Sequence, residues 1–120
     1  MKKACFCGKV TMEFPDKPLL HFMCHCTDCD LMWNGAYKGL VYPTDEVTIG
    51  GEKSNYQFNG GSGLGFEVDF CATCGTKVAS RPQVVDGLTY IPAGFLKNEV
   101  DFSPQVEIFA YNKYKCFGYP

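Results

Sequence analysis

The chain has no long apolar run. No uninterrupted stretch approaches the ~18 residues that span a bilayer, so no membrane partner is expected. The basic pair Lys2-Lys3 is not followed by an apolar segment of about 7–15 residues, the mark of a secretory leader. Excess positive charge is missing too. Lys plus Arg number 11 against 13 Asp plus Glu, for a formal charge of -2 and a pI near 5.6. A strongly basic surface is the usual electrostatic signature of a nucleic-acid binder, and its absence argues against that class. There is no internal repeat and no linker-like stretch. With 120 residues, 46% of them hydrophobic, the expectation is one packed domain over residues 1–120, soluble and cytoplasmic, with reduced thiols.

What the chain has in excess is cysteine, eight in all. Cys5 and Cys7 form C-x-C, Cys24, Cys26 and Cys29 form C-x-C-x-x-C, and Cys71 and Cys74 form C-x-x-C before Gly75. Cys116 stands alone. A disulfide between such close neighbours closes only a small loop and stabilises little. A metal, by contrast, needs close spacing. Tetrahedral zinc gathers sulfurs at about 2.3 Å from one centre, and a turn delivers neighbouring thiols there without ordering much extra chain. Gly75 fits, because the residue after such a turn often needs positive φ.

Ligand arithmetic divides the set. The two pairs, Cys5, Cys7, Cys71 and Cys74, make four ligands and are assigned to a closed, structural site. The triplet Cys24, Cys26 and Cys29 makes three, the count of a catalytic zinc with one position open. Two zinc ions per chain are expected. The same spacing is compatible with purely structural zincs, with His25 or Cys116 completing the second. A disulfide or redox protein is disfavoured, since the C-x-x-C lacks the alternating strand–helix pattern that usually accompanies it.

The periodicity is mostly that of strands. Val10, Met12 and Phe14 alternate with Thr11 and Glu13. Further strands are expected at Leu19–Cys24, Tyr37–Tyr42, Glu46–Ile49, Tyr56–Asn59, Phe66–Cys71, Lys77–Ser80, Leu88–Ile91 and Val106–Tyr111. Their spacing indicates a sandwich or open barrel. One short helix is expected from an N-cap at Thr27 to a stop at Asn34-Gly35. The run Asn59-Gly60-Gly61-Ser62-Gly63-Leu64-Gly65 reads as a loop, since no helical pattern follows it. In an extended segment His25 points away from Cys24 and Cys26, making it a packing or hydrogen-bonding residue rather than a ligand. Trp33, Tyr37, Phe66 and Tyr90 are candidate pocket residues, although core packing is the ordinary role of such side chains.

Three stretches together, Cys5-Phe6-Cys7-Gly8-Lys9-Val10, Cys24-His25-Cys26-Thr27-Asp28-Cys29 and Phe70-Cys71-Ala72-Thr73-Cys74-Gly75, resemble the family of glutathione-dependent formaldehyde-activating enzymes and centromere protein V. The resemblance covers nearly the whole chain. It implies an all-β fold of the β-tent type, with open sheets stabilised by zinc. It implies a structural zinc on Cys5, Cys7, Cys71 and Cys74 and a catalytic zinc on Cys24, Cys26 and Cys29. The implied chemistry is that of a carbon–sulfur lyase, with a thiol such as glutathione and an aldehyde as partners. The substrate thiol would be the fourth ligand of the open zinc. Three thiolates make Zn²⁺ a weaker Lewis acid than three histidines do, which suits thiol chemistry better than water activation. The chain departs from the family pattern at Asp30, usually basic, at Glu107, often His, and at Lys115-Cys116-Phe117, often a Pro–Trp ending. None of these is a proposed ligand. A non-catalytic zinc-binding interaction or scaffold module is the alternative, as the centromere protein suggests.

Overall fold

Strands dominate the computed structural model, which describes residues 1–59, 63–96, 99 and 106–112. Strands β1 (Lys2–Ala4), β2 (Thr11–Glu13) and β5 (Thr48–Gly50) form a small antiparallel sheet in the order β1-β2-β5. The larger sheet has the order β10-β3-β4-β9-β8-β7-β6. Its strands are β3 (Leu20–Cys24), β4 (Tyr37–Pro43), β6 (Lys53–Asn59), β7 (Gly65–Cys71), β8 (Lys77–Pro82), β9 (Leu88–Pro92) and β10 (Val106–Ile108). Among the described residues one α-helix, α1 (Thr27–Trp33), interrupts them. Neither sheet closes into a barrel, so the chain is an all-β protein of two open, packed sheets.

The alternation read from the sequence determines which face each residue covers. Met12 of β2 packs between the sheets against Leu40, Tyr42, Val78 and Ile91, all fully buried. Strand β4 is buried on both sides: Leu40 and Tyr42 face this core, while Tyr37 and Val41 join Phe22 on the opposite face, beside the helix. Gly39 pairs in register with Phe22. A Cβ at position 39 would lie 2.4 Å from Phe22 Cε1, so only glycine lets that ring lie across the sheet.

Some expectations need correction at their edges. Strand β1 carries no apolar alternation in Lys2-Lys3-Ala4 and forms by pairing with β2 at the sheet edge. The expected strand Glu46–Ile49 begins only at Thr48. Pro43 instead starts a 3₁₀ turn, Thr44–Glu46, with Asp45 and Glu46 in its first turn. The expected strand Val106–Tyr111 ends at Ile108, because Phe109 turns the chain at φ 55° and a 3₁₀ turn follows. The glycine-rich run connects the antiparallel pair β6–β7, though residues 60–62 lie outside the described residues. Cys116 also lies outside them.

A charged network ties the far end of the large sheet. Buried Asp69 accepts hydrogen bonds from Asn55 Nδ2 and Arg81 Nη2, each at 2.7 Å, and Lys53 Nζ is 3.2 Å away. Burial pushes this carboxyl up, but the bonds from Asn55 and Arg81 and the two cations outweigh it and hold the pKa below 3.8. Asp69→Ala should lower stability by about 2 kcal/mol, since Asn55 and Arg81 Nη2 lose their buried acceptor while Arg81 Nε keeps its ion pair with Glu67. Denaturant unfolding at neutral pH measures this. The contribution is complete above the ordinary carboxylate pKa and is lost as pH falls through the lower folded value. The wild-type advantage should therefore vanish only in strong acid. An unaltered midpoint at pH 7 would show that the sheet does not depend on the network.

Candidate metal centres

Two hairpin turns build the first centre. Cys5 and Cys7 sit on the turn between β1 and β2, Cys71 ends β7, and Cys74 lies on the turn into β8. Each turn is closed by backbone bonds, Gly8 N to Cys5 O at 3.0 Å and Gly75 N to Cys71 O at 2.9 Å. Gly8 and Gly75 both have positive φ, 84° and 78°. The turns belong to different sheets, and Phe6 N donates to Thr76 Oγ1 across the gap at 3.2 Å.

All four sulfurs lie within 4.8 Å of one another. Cys5 Sγ and Cys7 Sγ are 3.7 Å apart, as are Cys7 Sγ and Cys71 Sγ. A tetrahedron with Zn–S bonds of about 2.3 Å has sulfur–sulfur edges of about 3.8 Å, so the spacing fits a single ion. Backbone N–H groups already point at the sulfurs: Val10 N donates to Cys5 Sγ at 3.3 Å and Thr73 N to Cys71 Sγ at 3.4 Å. The bond from Val10 favours the thiolate of Cys5. The Thr76 hydroxyl does the same for Cys74 and holds its thiol down to about 5.

The second centre is the triplet. Cys24 ends β3, and Cys26 and Cys29 stand at the start of α1, their sulfurs also within 4.8 Å of one another. Thr27 lies inside the helix, and the N–H of Cys29 is bonded by Cys26 Sγ at 3.2 Å. The capping role expected of the Thr27 hydroxyl thus falls to the sulfur of the preceding residue, Cys26. Within the triplet, hydrogen bonding to Cys29 holds the Cys24 thiol down to about 6, and Cys29 is pushed up in consequence. His25 points away from the triplet. It is buried, with Nε2 3.0 Å from Glu107 Oε1, and its backbone N–H donates to Ile108 O at 2.9 Å. Neither cluster includes it.

The two centres differ in what adjoins them. Beside the triplet lies a cavity of about 230 Å³ whose wall includes all three cysteines. Trp33, Tyr37, Phe66 and Tyr90 all line it, and Trp33, Tyr37 and Tyr90 also pack in the core cluster around Phe22 and Val41. Trp33 and Tyr37 meet edge to face at 4.2 Å, and Phe22 meets Tyr90 at 4.9 Å. Phe22, Phe58 and Phe109 line the wall as well and were not anticipated. Phe22 was within reach of sequence reasoning, because it shares a strand face with Cys24. Tyr37 Oη and Ser80 Oγ are buried without a well-formed hydrogen bond among the described residues. Burial pushes the Tyr37 phenol well above its ordinary range, offset only in part by the Ser80 hydroxyl.

Two open β-sheets whose turns bring four thiols together, with a second thiol set facing a cavity, define a small β protein with two cysteine clusters that could hold metal ions. The chain belongs to the family of the glutathione-dependent formaldehyde-activating enzyme, whose family model matches residues 1–112. Its fold is similar to that of a Rhodobacter sphaeroides protein solved by crystallography as a structural-genomics target. The TM-score is 0.66 at 18% identity, covering 89% of this chain and 99% of the other. No curated protein matches the chain. Among the described residues no helix is long and apolar enough to cross a membrane.

Proposed function

We propose that the chain is a cytoplasmic, single-domain zinc protein over residues 1–120 that makes or cleaves thiol–aldehyde adducts, a carbon–sulfur lyase. The observation that carries this reading is the contrast between the centres. Four sulfurs form the first, and three sulfurs walled into a cavity form the second. On this reading Cys5, Cys7, Cys71 and Cys74 hold a structural zinc, and Cys24, Cys26 and Cys29 hold a catalytic one. A Zn²⁺ ion on the triplet supplies positive charge that keeps a substrate thiol ionised at neutral pH, where a free thiol of pKa about 8.5 is mostly protonated.

The chain's own residues supply the rest. The aromatic wall limits water around the reacting atoms and strengthens each polar contact made there. Tyr37 Oη keeps its proton and is free to donate it in a hydrogen bond to the aldehyde oxygen. In the forward direction the thiol sulfur forms a bond to the carbonyl carbon. The carbonyl π pair moves to oxygen, which takes up a proton in place of the one lost from sulfur. Cleavage reverses each movement. Placing both partners in one cavity adds proximity to activation.

The test is acceleration of adduct formation or breakdown by the metal-loaded chain, followed by exchange NMR across a panel of thiols and aldehydes. Rates equal to the uncatalysed reaction throughout the panel would exclude the reading and leave the scaffold role. Tyr37→Phe should lower kcat by about a hundredfold with KM little changed, the usual loss on removing one donor to a developing oxyanion. A fall of less than about threefold would remove Tyr37 from that role.

A further inference from the structure

The wall of the triplet cavity is apolar almost throughout. Apart from the cysteines and tyrosines, Asp28 is the one ionisable side chain on it among the described residues, and it is acidic. No described wall residue is a cation. Lys77, with Nζ 5.7 Å from the Trp33 ring centroid, lines the grooves outside rather than this cavity. A carboxylate entering such a space loses hydration and meets no compensating charge from the described wall residues. A ring does better, because edge-to-face aromatic contacts reward it beyond the area it buries. Size agrees: an apolar cavity of about 150 Å³ holds benzene, and this one has about 230 Å³. That leaves room for one ring plus the sulfur and carbon that react.

We infer that the adduct handled at Cys24, Cys26 and Cys29 carries an apolar, ring-sized group into this cavity, in place of the two carboxylates of glutathione. The inference rests on the thiol–aldehyde reading above. It narrows the substrate class to adducts with an aryl or compact branched group next to the new carbon–sulfur bond. Phe22, Phe58, Phe66 and Tyr90 are the side chains that select it, with Val84 and Phe109 at the more exposed side.

The experiment uses the full zinc-loaded chain and the fluorescence of Trp33, the one tryptophan, which stands in the wall. Phenylmethanethiol and benzaldehyde are titrated separately, with glutathione and formaldehyde as polar counterparts. At least one phenyl probe should saturate the Trp33 signal at about a tenth of the glutathione concentration or less, as burial of a ring's apolar area requires. Saturation by the thiol assigns the ring to the thiol partner, and saturation by the aldehyde assigns it to the aldehyde. Val84 is 57% exposed, so Val84→Lys needs no repacking. Its added cation should weaken the phenyl probe and strengthen glutathione, each by about fivefold. Phe66→Ala should weaken the phenyl probe without helping glutathione.

Glutathione saturating the signal at the same or lower concentration than both phenyl probes would overturn the inference. So would phenyl binding that neither Val84→Lys nor Phe66→Ala weakens, since the probe would then lie elsewhere. The two readings fail separately. Turnover of glutathione with formaldehyde and no phenyl binding removes the apolar assignment alone. Phenyl binding without acceleration of any thiol–aldehyde pair removes the lyase reading and leaves the cavity's preference intact.

Discussion

On the two-zinc reading proposed above, a strong chelator is expected to unfold the protein. The four-cysteine centre joins the β1–β2 turn of the small sheet to the β7–β8 turn of the large one. The small sheet has three strands of three residues each, too short to hold together alone. Structural zinc contributes on the order of 10 kcal/mol, comparable with the whole folding free energy of a small domain. Complete removal should therefore abolish near-UV dichroism in one cooperative step, and readdition of zinc should restore it. Cys74→Ser isolates the effect, because Cys74 is exposed and the change leaves the triplet intact. It should lower the thermal midpoint far more than Cys26→Ser does. Native near-UV dichroism after full metal removal would contradict the structural role.

Cys26→Ser should abolish turnover while the fold survives. The loss should reach about a thousandfold, or about 4 kcal/mol of barrier. Three sulfurs are the minimum set at the triplet, and Cys26 is one of them. The fold should tolerate the change for a local reason. Cys26 Sγ accepts the Cys29 N–H, and a serine oxygen can accept the same bond. Phe22 and Tyr37 still hold Trp33, at the end of α1, against β3 and β4. Bound zinc should fall from two ions per chain to one, with near-UV dichroism retained. Unchanged activity in the variant would end the catalytic reading of the triplet, and one zinc per wild-type chain would end the two-site scheme.

The sequence was most legible where chemistry is local. The cysteine clusters stood out because residues two or three apart on a turn reach one point in almost any fold. Leu19–Cys24 read as a strand, and the extended segment through Cys24 and Cys26 turned His25 away from them, as its contact with Glu107 shows. The stop after α1 was equally plain, with Asn34 at φ 55° and Gly35 at φ 139°. Features made by pairing were not legible. Lys2-Lys3-Ala4 has no strand signal of its own, and β1 exists because β2 offers it partners. Nothing in Val106–Ile108 announces that it runs parallel to β3, where it brings Glu107 to His25. The Asp69 network draws on three strands and was invisible for the same reason.

The sequence by itself thus marked three cysteine clusters, Cys5 with Cys7, Cys24 with Cys26 and Cys29, and Cys71 with Cys74, because short-range geometry leaves a C-x-C or a C-x-x-C few other uses in such a chain. Tertiary structure decided the rest. That Cys7 meets Cys71, 64 residues on, follows from how two sheets pack. Whether the triplet faced water, a basic cleft or an apolar cavity depended on which side chains β3, β4, β7, β9 and β10 bring around it. No local rule sets that choice. Strand order does, since it alone places residues from distant parts of the chain on one wall.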